Sequence, residues 1–484
     1  MNKREAKVHK KSKVKKAIAS IFAFIFVLIL FFVIINLTGV STAYVMAKHN
    51  IKPVVSERVE QGEDSLRIVK EKFDGEDIWS IYTKKFVSNM SPEGITEDSY
   101  LKILQLTDLH FSGGFMAISK DGRAMDDIKA LVTSQKPDLI IVTGDALYPI
   151  PVQGGSINNA HALKIFTQVM NSFKIPWAFV YGNHDTESFA THSKLEISKK
   201  LEENAYNPAG GKYCLFIAGP DFAAKKGGDK PQGNYQILVK DSDTGNIKHS
   251  LIFMDSNKYF VHDDAGFSFA QYDAVHNDQI KWYEKKIDAL NLAAPGIASS
   301  VFIHIPLPEY RTAWETKVGN KRIPTEDGKY GSVKNDEEAN KLKYFGGDTQ
   351  EIWGESAKTG EIVISSPDNK KGLFPEYNDF YKSIAAKGHS KFVFCGHDHD
   401  NNFSIETADG VRLTYGKSID HLAYIGITKR VWQRGATIIY VTGEVGDQAL
   451  KIYQKSIANI GKSDIIDMNN VKEVIDKIRP ATQK

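Results

Sequence analysis

The chain has 484 residues, of which 42% are hydrophobic and 11% aromatic. This apolar content supplies a packed core and excludes a disordered or fibrous protein, and the length permits up to about three domains. Two cysteines exclude a disulfide scaffold and a zinc site made of thiolates. The net charge is +3, but residues 1–16 carry eight positive charges and one negative charge. The rest of the chain is therefore mildly acidic, which argues against nucleic-acid binding through bulk charge.

Residues 17–37 are predicted to form a transmembrane anchor. No charged residue occurs from Ala17 to Ala47, and the centre of this run, Ile18 to Ile35, is apolar almost throughout. About 20 helical residues cross the hydrocarbon of a bilayer, so this run is long enough. The lysines of residues 1–16 are expected to keep that segment in the cytoplasm. The sequence thus predicts a single-pass protein of the cell membrane, with the bilayer as a partner and the rest of the chain, including its main domain, outside the cytoplasm.

A cleaved signal peptide is the alternative for the same segment. Ser41 to Ala43 and Val45 to Ala47 have the small residues of a cleavage site, and cleavage would release a secreted form. Hydrophobic regions of signal peptides usually span about 7–15 residues, and this one is longer. The length therefore favours an uncleaved anchor.

The soluble part begins with a juxtamembrane β segment, residues 38–100, in which 66–69 and 78–82 are predicted to pair as a hairpin. From residue 101, apolar strands alternate with amphipathic helices. The predicted strands are 101–106, 138–143 and 176–181, and the predicted helices are 125–133, 160–173 and 193–204. Strands separated by helices indicate a parallel sheet with helices on its faces.

The second half of the chain contains more hairpin patterns and one long insertion. The predicted elements are a hairpin of 235–240 with 249–254, a helix around 280–290, strands at 300–303 and 391–395, and β-hairpin patterns at 403–407, 411–415 and 436–441. Residues 308–375 are rich in polar residues and glycine, and are predicted to be a surface insertion near the active site. The main domain is thus placed at 101–454, with 455–484 as a tail of weak helical pattern.

Five polar clusters directly follow predicted strands. In open α/β sheets, ligands gather at the carboxyl ends of the strands. Carboxylate, imidazole and amide groups without thiolate suit Mn, Fe or Zn. A lone Asp-x-His often occurs by chance and Gly-Asp is common turn chemistry, whereas Gly-Asn-His-Asp after a buried strand already favours metal; all five in this order favour a metal site. The clusters are Asp108 with His110, Gly144 with Asp145, Gly182 to Asp185, His304, and Gly396 to His399.

The ordered motifs D-x-H, G-D, G-N-H-D, H and G-H-x-H, from Asp108 to His399, resemble those of the calcineurin-like metallophosphoesterases. The flanking sequence extends this resemblance from about Leu101 to Val441. The segments 304–310, 396–403 and 413–416 are most similar to the purple-acid-phosphatase-like branch. The resemblance implies an αββα sandwich, in which two mixed sheets face each other and helices flank them, preceded here by one transmembrane helix.

The resemblance also implies two divalent or trivalent metal ions (Mn, Fe or Zn) that share one carboxylate. A hydroxide that bridges the ions would attack a phosphoester substrate, and His184 would assist the leaving group. The implied function is a membrane-anchored hydrolase of phosphoric esters with Asp145 and His184 in catalytic roles. The implied ligands are Asp108, His110, Asp145 and His399 for the first ion, and Asp145, Asn183, His304 and His397 for the second.

One position departs from the family pattern. Purple acid phosphatases have the motif G-D-x-x-Y, whose tyrosine binds iron, together with a glycine in place of the first-motif histidine. This chain has both Tyr148 and His110, and the two side chains cannot easily fill one coordination position. We favour His110 as the ligand and Tyr148 as a packing aromatic.

Two functional alternatives stay open at this point. Monoesters and diesters both remain candidate substrates, because the same metal core serves both. A catalytically silent extracellular binding or adhesion domain that keeps the fold is the alternative outside the enzymes.

Overall fold

A computed structural model gives the fold of the chain. It describes residues 3–49, 52–62, 66–89, 96–264, 267–317, 379–399, 401–423, 434–457, 460 and 466–467.

The apolar segment forms one long helix, α1 (Lys3–Thr38), followed by α2 (Val40–Lys48) and the short α3 (Glu57–Glu60). Gly39 separates α1 from α2 with a left-handed backbone, φ 63°. Residues 13–38 of α1 are long and apolar enough to cross a membrane, and no residue in the most apolar part of that stretch is buried. The prediction of one apolar helix at this place is confirmed.

A six-stranded sheet carries the first half of the metal motifs. Its strand order is β18-β17-β16-β5-β6-β7, in which β5, β6 and β7 run parallel and β16 pairs antiparallel with β5. The strands are β5 (Leu101–Leu106), β6 (Leu139–Thr143), β7 (Trp177–Val180), β16 (Gly435–Val441), β17 (Leu450–Ser456) and β18 (Ile466–Asp467). The helices along this half are α4 (Ile118–Gln135), α5 (Pro151–Gly154), α6 (Asn159–Ser172) and α7 (Lys194–Glu202). The predicted parallel βαβ arrangement is confirmed.

An eight-stranded mixed sheet carries the other half, in the order β1-β2-β8-β9-β12-β13-β15-β14. Its strands are β1 (Arg67–Phe73), β2 (Glu76–Thr83), β8 (Tyr235–Asp241), β9 (Ile247–Phe253), β12 (Ser299–Phe302), β13 (Ser390–Cys395), β14 (Ser404–Glu406) and β15 (Arg412–Tyr415). The predicted hairpin of β1 and β2 is confirmed. However, β2 pairs in parallel with β8, so this hairpin belongs to the large sheet, whereas the sequence placed it in a separate segment before residue 101.

The two sheets face each other across a shared core. Side chains along β8 alternate, with Ile237 and Val239 in the core cluster that also contains the six-stranded sheet, and Leu238 in a second cluster on the opposite face. Between the sheets, the Tyr235 hydroxyl donates to the carbonyl of Phe179 at 3.0 Å. The second cluster packs against α8 (Asn277–Ala293) and α10 (Asp379–Lys387). The period-2 pattern therefore buries both faces of the large sheet, and the predicted sandwich is confirmed.

Three regions differ from the sequence-based description. The two-stranded sheets β3 (Phe86–Asn89) with β4 (Thr96–Ser99), and β10 (Tyr259–Asp264) with β11 (Phe267–Tyr272), were not predicted. The weak helical pattern predicted for the tail was wrong for the residues that the structure describes. Residues 455–456 belong to β17, and residues 466–467 form β18. Pairing of β17 with β16 outweighs the weak helical pattern. The insertion begins with a helix, α9 (Pro308–Lys317), and residues 318–375 lie outside the described residues.

Candidate metal centre

The polar clusters lie together at one edge of the sandwich. Strands β5, β6 and β7 run parallel in one sheet, and β12 and β13 run parallel in the other, so their carboxyl ends can meet. Each strand ends two or three residues before the first donor of its cluster. The structure thus brings together all of the site residues that the sequence singled out: Asp108, His110, Asp145, Asn183, His184, His304, His397 and His399.

The backbone is forced into an unusual conformation at four of these residues. Asp108, His110, Asp145 and His397 have φ values of 54°, 50°, 50° and 80°, which is the left-handed region that side chains other than glycine seldom adopt. Such conformations persist where the surrounding structure holds them, and they concentrate at functional sites. The chain therefore leaves strand geometry sharply and turns these side chains toward one centre.

Asp185 supplies part of what holds this conformation. Its buried carboxylate accepts hydrogen bonds from the backbone N–H groups of Asp145 at 3.1 Å, Leu147 at 2.8 Å and Gly182 at 2.6 Å. Gly182 itself must lack a side chain, because a Cβ there would lie 2.2 Å from Asp145 Oδ1. The G-N-H-D segment therefore clamps the loop that carries Asp145.

The first group of donors consists of Asp108, His110 and His399, whose ligand atoms all lie within 4.8 Å of one another. His399 Nε2 is 3.4 Å from Asp108 Oδ1. His110 Nε2 is 3.3 Å from Asp145 Oδ2, so this group reaches the Asp145 carboxylate. All four side chains are buried.

The second group consists of Asp145, His304 and His397, also within 4.8 Å of one another, with Asn183 beside them. His304 Nε2 is 3.2 Å from Asp145 Oδ2 and 3.1 Å from Asn183 Oδ1. His397 Nδ1 is 2.9 Å from Asn183 Oδ1. The same oxygen of Asp145 therefore faces a histidine of each group.

The contacts of His304 fit a bound cation. Its Nδ1 lies 2.8 Å from the carbonyl of Thr143, which can only accept, so Nδ1 carries the proton. In the neutral ring, Nε2 then presents a lone pair to the carboxylate of Asp145, which has no proton to donate. A metal ion bound between these atoms would remove this conflict. The donor set, carboxylate with imidazole and amide oxygen, suits Mn, Fe or Zn.

Asp420 is the functional residue that the sequence did not reveal. Its two oxygens lie 3.0 Å from Nδ1 of His110 and 3.3 Å from Nδ1 of His399. The backbone N–H groups of Leu422 and Ala423 donate to the same carboxylate at 2.7 and 2.8 Å. Asp420 thereby turns both imidazoles so that Nε2 faces the centre, a role that carboxylates commonly play behind metal-binding histidines. An isolated aspartate outside any motif gives no sequence signal for this.

The charges within the site reinforce one another. Burial alone would raise the pKa of Asp420, but its contacts with His110 and His399 outweigh burial and hold that pKa well below its usual range. Likewise, burial lowers the pKa of His110, yet its contacts with Asp145 and Asp420 outweigh burial and raise that pKa. The carboxylates of Asp420 and Asp145 therefore stay charged and attract either protons on the histidines or a metal ion, and the two compete for the same nitrogens.

His184 adjoins the two groups: its ring nitrogen and the ligand atoms of His110 and Asp145 all lie within 4.8 Å of one another. Its side chain remains partly open to solvent, at 25% exposed. Its backbone N–H donates to Asp145 Oδ1 at 2.8 Å. Its Nδ1 is 2.6 Å from Oε1 of Glu187, a partner that sequence reasoning also missed although it lies three residues further on. Glu187 thus fixes the ring and leaves Nε2 for other partners.

The ring of Tyr148 packs edge-on against two histidines of the site. Its ring lies 4.7 Å from the ring of His110 and 4.9 Å from that of His184, and its hydroxyl donates to Oε1 of Gln153. Burial, and then the nearby charges of Asp420 and Asp145, raise the pKa of the phenol. A neutral, hydrogen-bonded phenol is a poor metal ligand, which agrees with a packing role.

Residues 101–314 of the chain match the family model for "Calcineurin-like phosphoesterase". "Probable inactive purple acid phosphatase 29" of Arabidopsis thaliana is 25% identical over 370 residues, which cover 70% of this chain and 76% of that protein. Its name fits the purple-acid-phosphatase-like branch that the motifs indicated.

Two further proteins are similar to parts of this chain. "Phosphatase DCR2" of Saccharomyces cerevisiae is 31% identical over 228 residues, or 44% of this chain and 36% of that protein. The solved structure of the sulfate thiohydrolase SoxB of Thermus thermophilus, in complex with glycerol, aligns with 78% of this chain and 59% of that chain. Its TM-score of 0.34 and identity of 8% are too low to carry an argument.

We predict that Asp420→Asn weakens metal binding by about 10–100-fold, because it removes the charge that orients His110 and His399. The measurement is the metal affinity of the purified chain in competition with a chelator. Asp127→Asn is the matched control, since Asp127 holds His421 at 2.7 Å outside the two donor groups and should leave the affinity unchanged. Equal affinities of Asp420→Asn and the unaltered chain would contradict the orienting role.

Proposed function

We propose that this chain, whose residues 101–314 form a domain of the calcineurin-like phosphoesterase family, is a membrane-anchored hydrolase of phosphoric esters that works with two metal ions. The observation that carries the proposal is the position of Asp145. One of its oxygens faces a histidine from each donor group, at 3.3 and 3.2 Å. A carboxylate shared in this way suits a pair of ions better than a single one.

The residues present would hold two ions as follows. Asp108, His110 and His399 would bind the first, Asn183, His304 and His397 the second, and Asp145 both. Bound there, such ions would neutralise phosphate charge and lower the pKa of a water molecule enough to give hydroxide near neutral pH.

The chain's own contribution is to orient the donors and to supply a proton. In hydrolysis, a bond forms between phosphorus and the oxygen of hydroxide, and the bond to the leaving oxygen breaks. The leaving oxygen then carries negative charge and needs a proton. His184 is suited to donate it, because the contact of Nδ1 with Glu187 holds the ring in place and leaves Nε2 for the leaving oxygen.

A silent binding domain is the second candidate, and the plant relative's name, which includes "probable inactive", is the observation that favours it. The donor set argues the other way. A site that has stopped catalysing has no need for seven converging donors, two orienting carboxylates and four left-handed backbone positions. Purified protein should therefore hydrolyse aryl phosphates, and monoester and diester substrates tested side by side would identify the class.

We predict that Asp145→Asn lowers hydrolysis by orders of magnitude and loses at least one equivalent of metal. The substitution keeps the shape of the side chain but removes the charge that faces both donor groups. The measurements are turnover and metal content of the same preparation. Wild-type activity of Asp145→Asn at matched metal loading would remove the hydrolase interpretation and support the binding domain.

His184→Ala is the companion variant, and it should behave differently. Because His184 is proposed to act on the leaving group, its loss should retain both metal equivalents and slow turnover. The slowing should be larger for poor leaving groups than for good ones. Glu187→Gln should give the same leaving-group dependence in weaker form, since it removes the partner of His184 Nδ1. Loss of metal in His184→Ala would contradict this division of roles.

The contacts of α2 support an uncleaved anchor. Both candidate cleavage sites, after Ala43 and Ala47, fall inside this helix. Its residues Ser41, Thr42 and Val45 are buried against the domain, so cleavage after Ala47 would remove side chains that pack on the folded domain. An anchor that continues into a docked helix keeps these contacts.

The orientation is predicted to place the catalytic domain outside the cytoplasm, because residues 1–16 carry the positive charge. Protease added to intact cells should then remove the domain and leave a small membrane-bound stub, as detected with a tag at residue 1. A domain that is fully protected in intact cells would contradict the orientation. A soluble protein that starts near residue 44 or 48 would contradict the anchor.

A further inference from the structure

We propose that the edge of the domain that carries the metal centre lies against the bilayer, and that the substrate is a phosphoester carried by a membrane amphiphile. The inference rests on the anchored hydrolase proposed above. Its evidence comes from three features: the polarity of the segment after the membrane helix, the loops to which this segment is docked, and the exposed side chains of those loops.

The end of α1 and the first turn of α2 have the reverse of the usual polarity. The polar side chains Asn36, Ser41 and Thr42 are buried against the domain. Leu37, by contrast, is 78% exposed, and Val40 is exposed with it. A soluble surface would place these groups the other way round, since buried polar groups and exposed apolar groups both cost free energy in water. The exposed face of this segment therefore suits lipid.

Asn36 connects α1 to the loop that follows β6. Its side-chain oxygen accepts hydrogen bonds from Ser156 Oγ at 2.9 Å and from the backbone N–H of Ile157 at 3.0 Å. Asn158 Nδ2 donates to the backbone carbonyl of Asn36 at 3.0 Å. These three hydrogen bonds hold the C-terminal end of α1 against the loop that follows β6, which also contains Asp145 and Tyr148.

A second set of contacts connects the same segment to the loop that follows β5. Thr42 Oγ1 donates to the carbonyl of Gly113 at 3.2 Å, and the ring of Phe31 lies 5.5 Å from that of Phe115. Gly113 is three residues from His110, so their Cα atoms lie within about 11 Å of each other. The anchor is thus docked beside the metal centre, on the loops that supply its ligands.

The depth of these contacts can be estimated from the helix. Twenty residues from Ile18 end at Leu37, which places the outer edge of the hydrocarbon near Leu37. Phe31 precedes Leu37 by six residues, or about 9 Å along the axis. Phe115, which contacts Phe31, would then lie below the level of the phosphate groups. The loop after β5, which carries Asp108 and His110 as well as Phe115, would therefore reach the region of the lipid headgroups.

The loops around the centre expose apolar side chains on the same edge. Met116 follows β5, Val152 follows β6 and Phe189 follows β7, so each ligand-bearing loop of the six-stranded sheet contributes one. Val152 is 80% exposed, and Met116 and Phe189 are about half exposed. An apolar side chain on each of three loops, next to a membrane helix, is the arrangement expected of a surface that inserts into the interface of a bilayer.

The geometry favours a substrate whose phosphate lies at the level of the lipid headgroups. Such a phosphoester would reach the centre by lateral diffusion in the leaflet. A water-soluble phosphoester would have to enter between the domain and the bilayer. Phosphatidic acid and phosphatidylglycerol, a monoester and a diester of this kind, are suitable probes.

The contact with lipid can be measured without reference to activity. The full chain is placed in phosphatidylcholine vesicles with single cysteines introduced at Val152 or Phe189 and labelled with a fluorophore. The native Cys214 and Cys395 are buried and should not react. Val445→Cys is the matched control, because Val445 is 60% exposed but lies in the turn after β16, at the opposite end of β5. Brominated lipids should quench the labels at 152 and 189 strongly and the label at 445 weakly.

If the chain stays with the vesicles but all three labels are quenched equally, the proposed contact with lipid is wrong. That result would not contradict the anchor or the hydrolase activity. Recovery of the chain in the supernatant would overturn it together with the anchor. If only the hydrolase proposal is wrong, the labels at 152 and 189 will still be quenched more strongly than the label at 445, but no substrate will be hydrolysed. That result would support the contact with lipid and contradict the substrate assignment.

The substrate class is tested by comparing two activities of the same variants. Val152→Asp and Phe189→Asp should lower hydrolysis of phosphatidic acid or phosphatidylglycerol in vesicles by at least about tenfold, since a charge replaces a side chain that contacts lipid. Hydrolysis of a soluble aryl phosphate should stay within about twofold, and Val445→Asp should change neither activity. Equal loss on both substrates, or no loss on either, would overturn the assignment.

Discussion

The carboxylate of Asp145 is the group on which the site depends. It is buried between histidines from two different sheets, His110 on one side and His304 on the other. Burial alone would raise the pKa of this carboxyl, but the histidines around it outweigh burial and hold the pKa well below its usual range. A charge kept in the interior at this cost must be paired, and the cations that can pair with it are protonated histidines or metal ions. The facing sheets, the left-handed turns and the clamp by Asp185 all serve to hold that one carboxylate in place.

The sequence predicted the elements whose pattern is local and periodic. Alternating residues such as Ile237, Leu238 and Val239 indicate a strand buried on both faces, and the motifs after the strands identified every donor that the structure brings together. The family resemblance then supplied the sandwich, which local pattern could not. The match of residues 101–314 to the family model bears out that step.

The parts that escaped prediction depend on contacts between distant residues. Asp420 is 310 residues from His110 along the chain, and it belongs to no motif, so its role can be seen only in three dimensions. The hairpin of β1 and β2 looked like a separate segment, because its pairing with β8 leaves no local trace. The tail looked weakly helical where the neighbouring strand β16 makes it part of a sheet. In each case a long-range partner decided the outcome.

The apolar helix α1 and the edge that carries the metal donors are connected by the same loops, and this gives the fold a second constraint. The loops after β5 and β6 must hold the donors on one side and the end of α1 on the other. Asn36 and Thr42 make hydrogen bonds that a flexible tether would not need. On the proposal that α1 spans a bilayer, a free tether would let the domain sample many orientations, whereas a docked helix would fix which edge meets the membrane.

The central claim is that the chain holds two metal ions, one on each side of Asp145. Anomalous X-ray diffraction from crystals of the metal-loaded protein, recorded at the absorption edges of manganese, iron and zinc, tests it most directly. The account predicts two peaks, the first bounded by Asp108, His110 and His399 and the second by Asn183, His304 and His397. A single peak, or none, at saturating metal would contradict it.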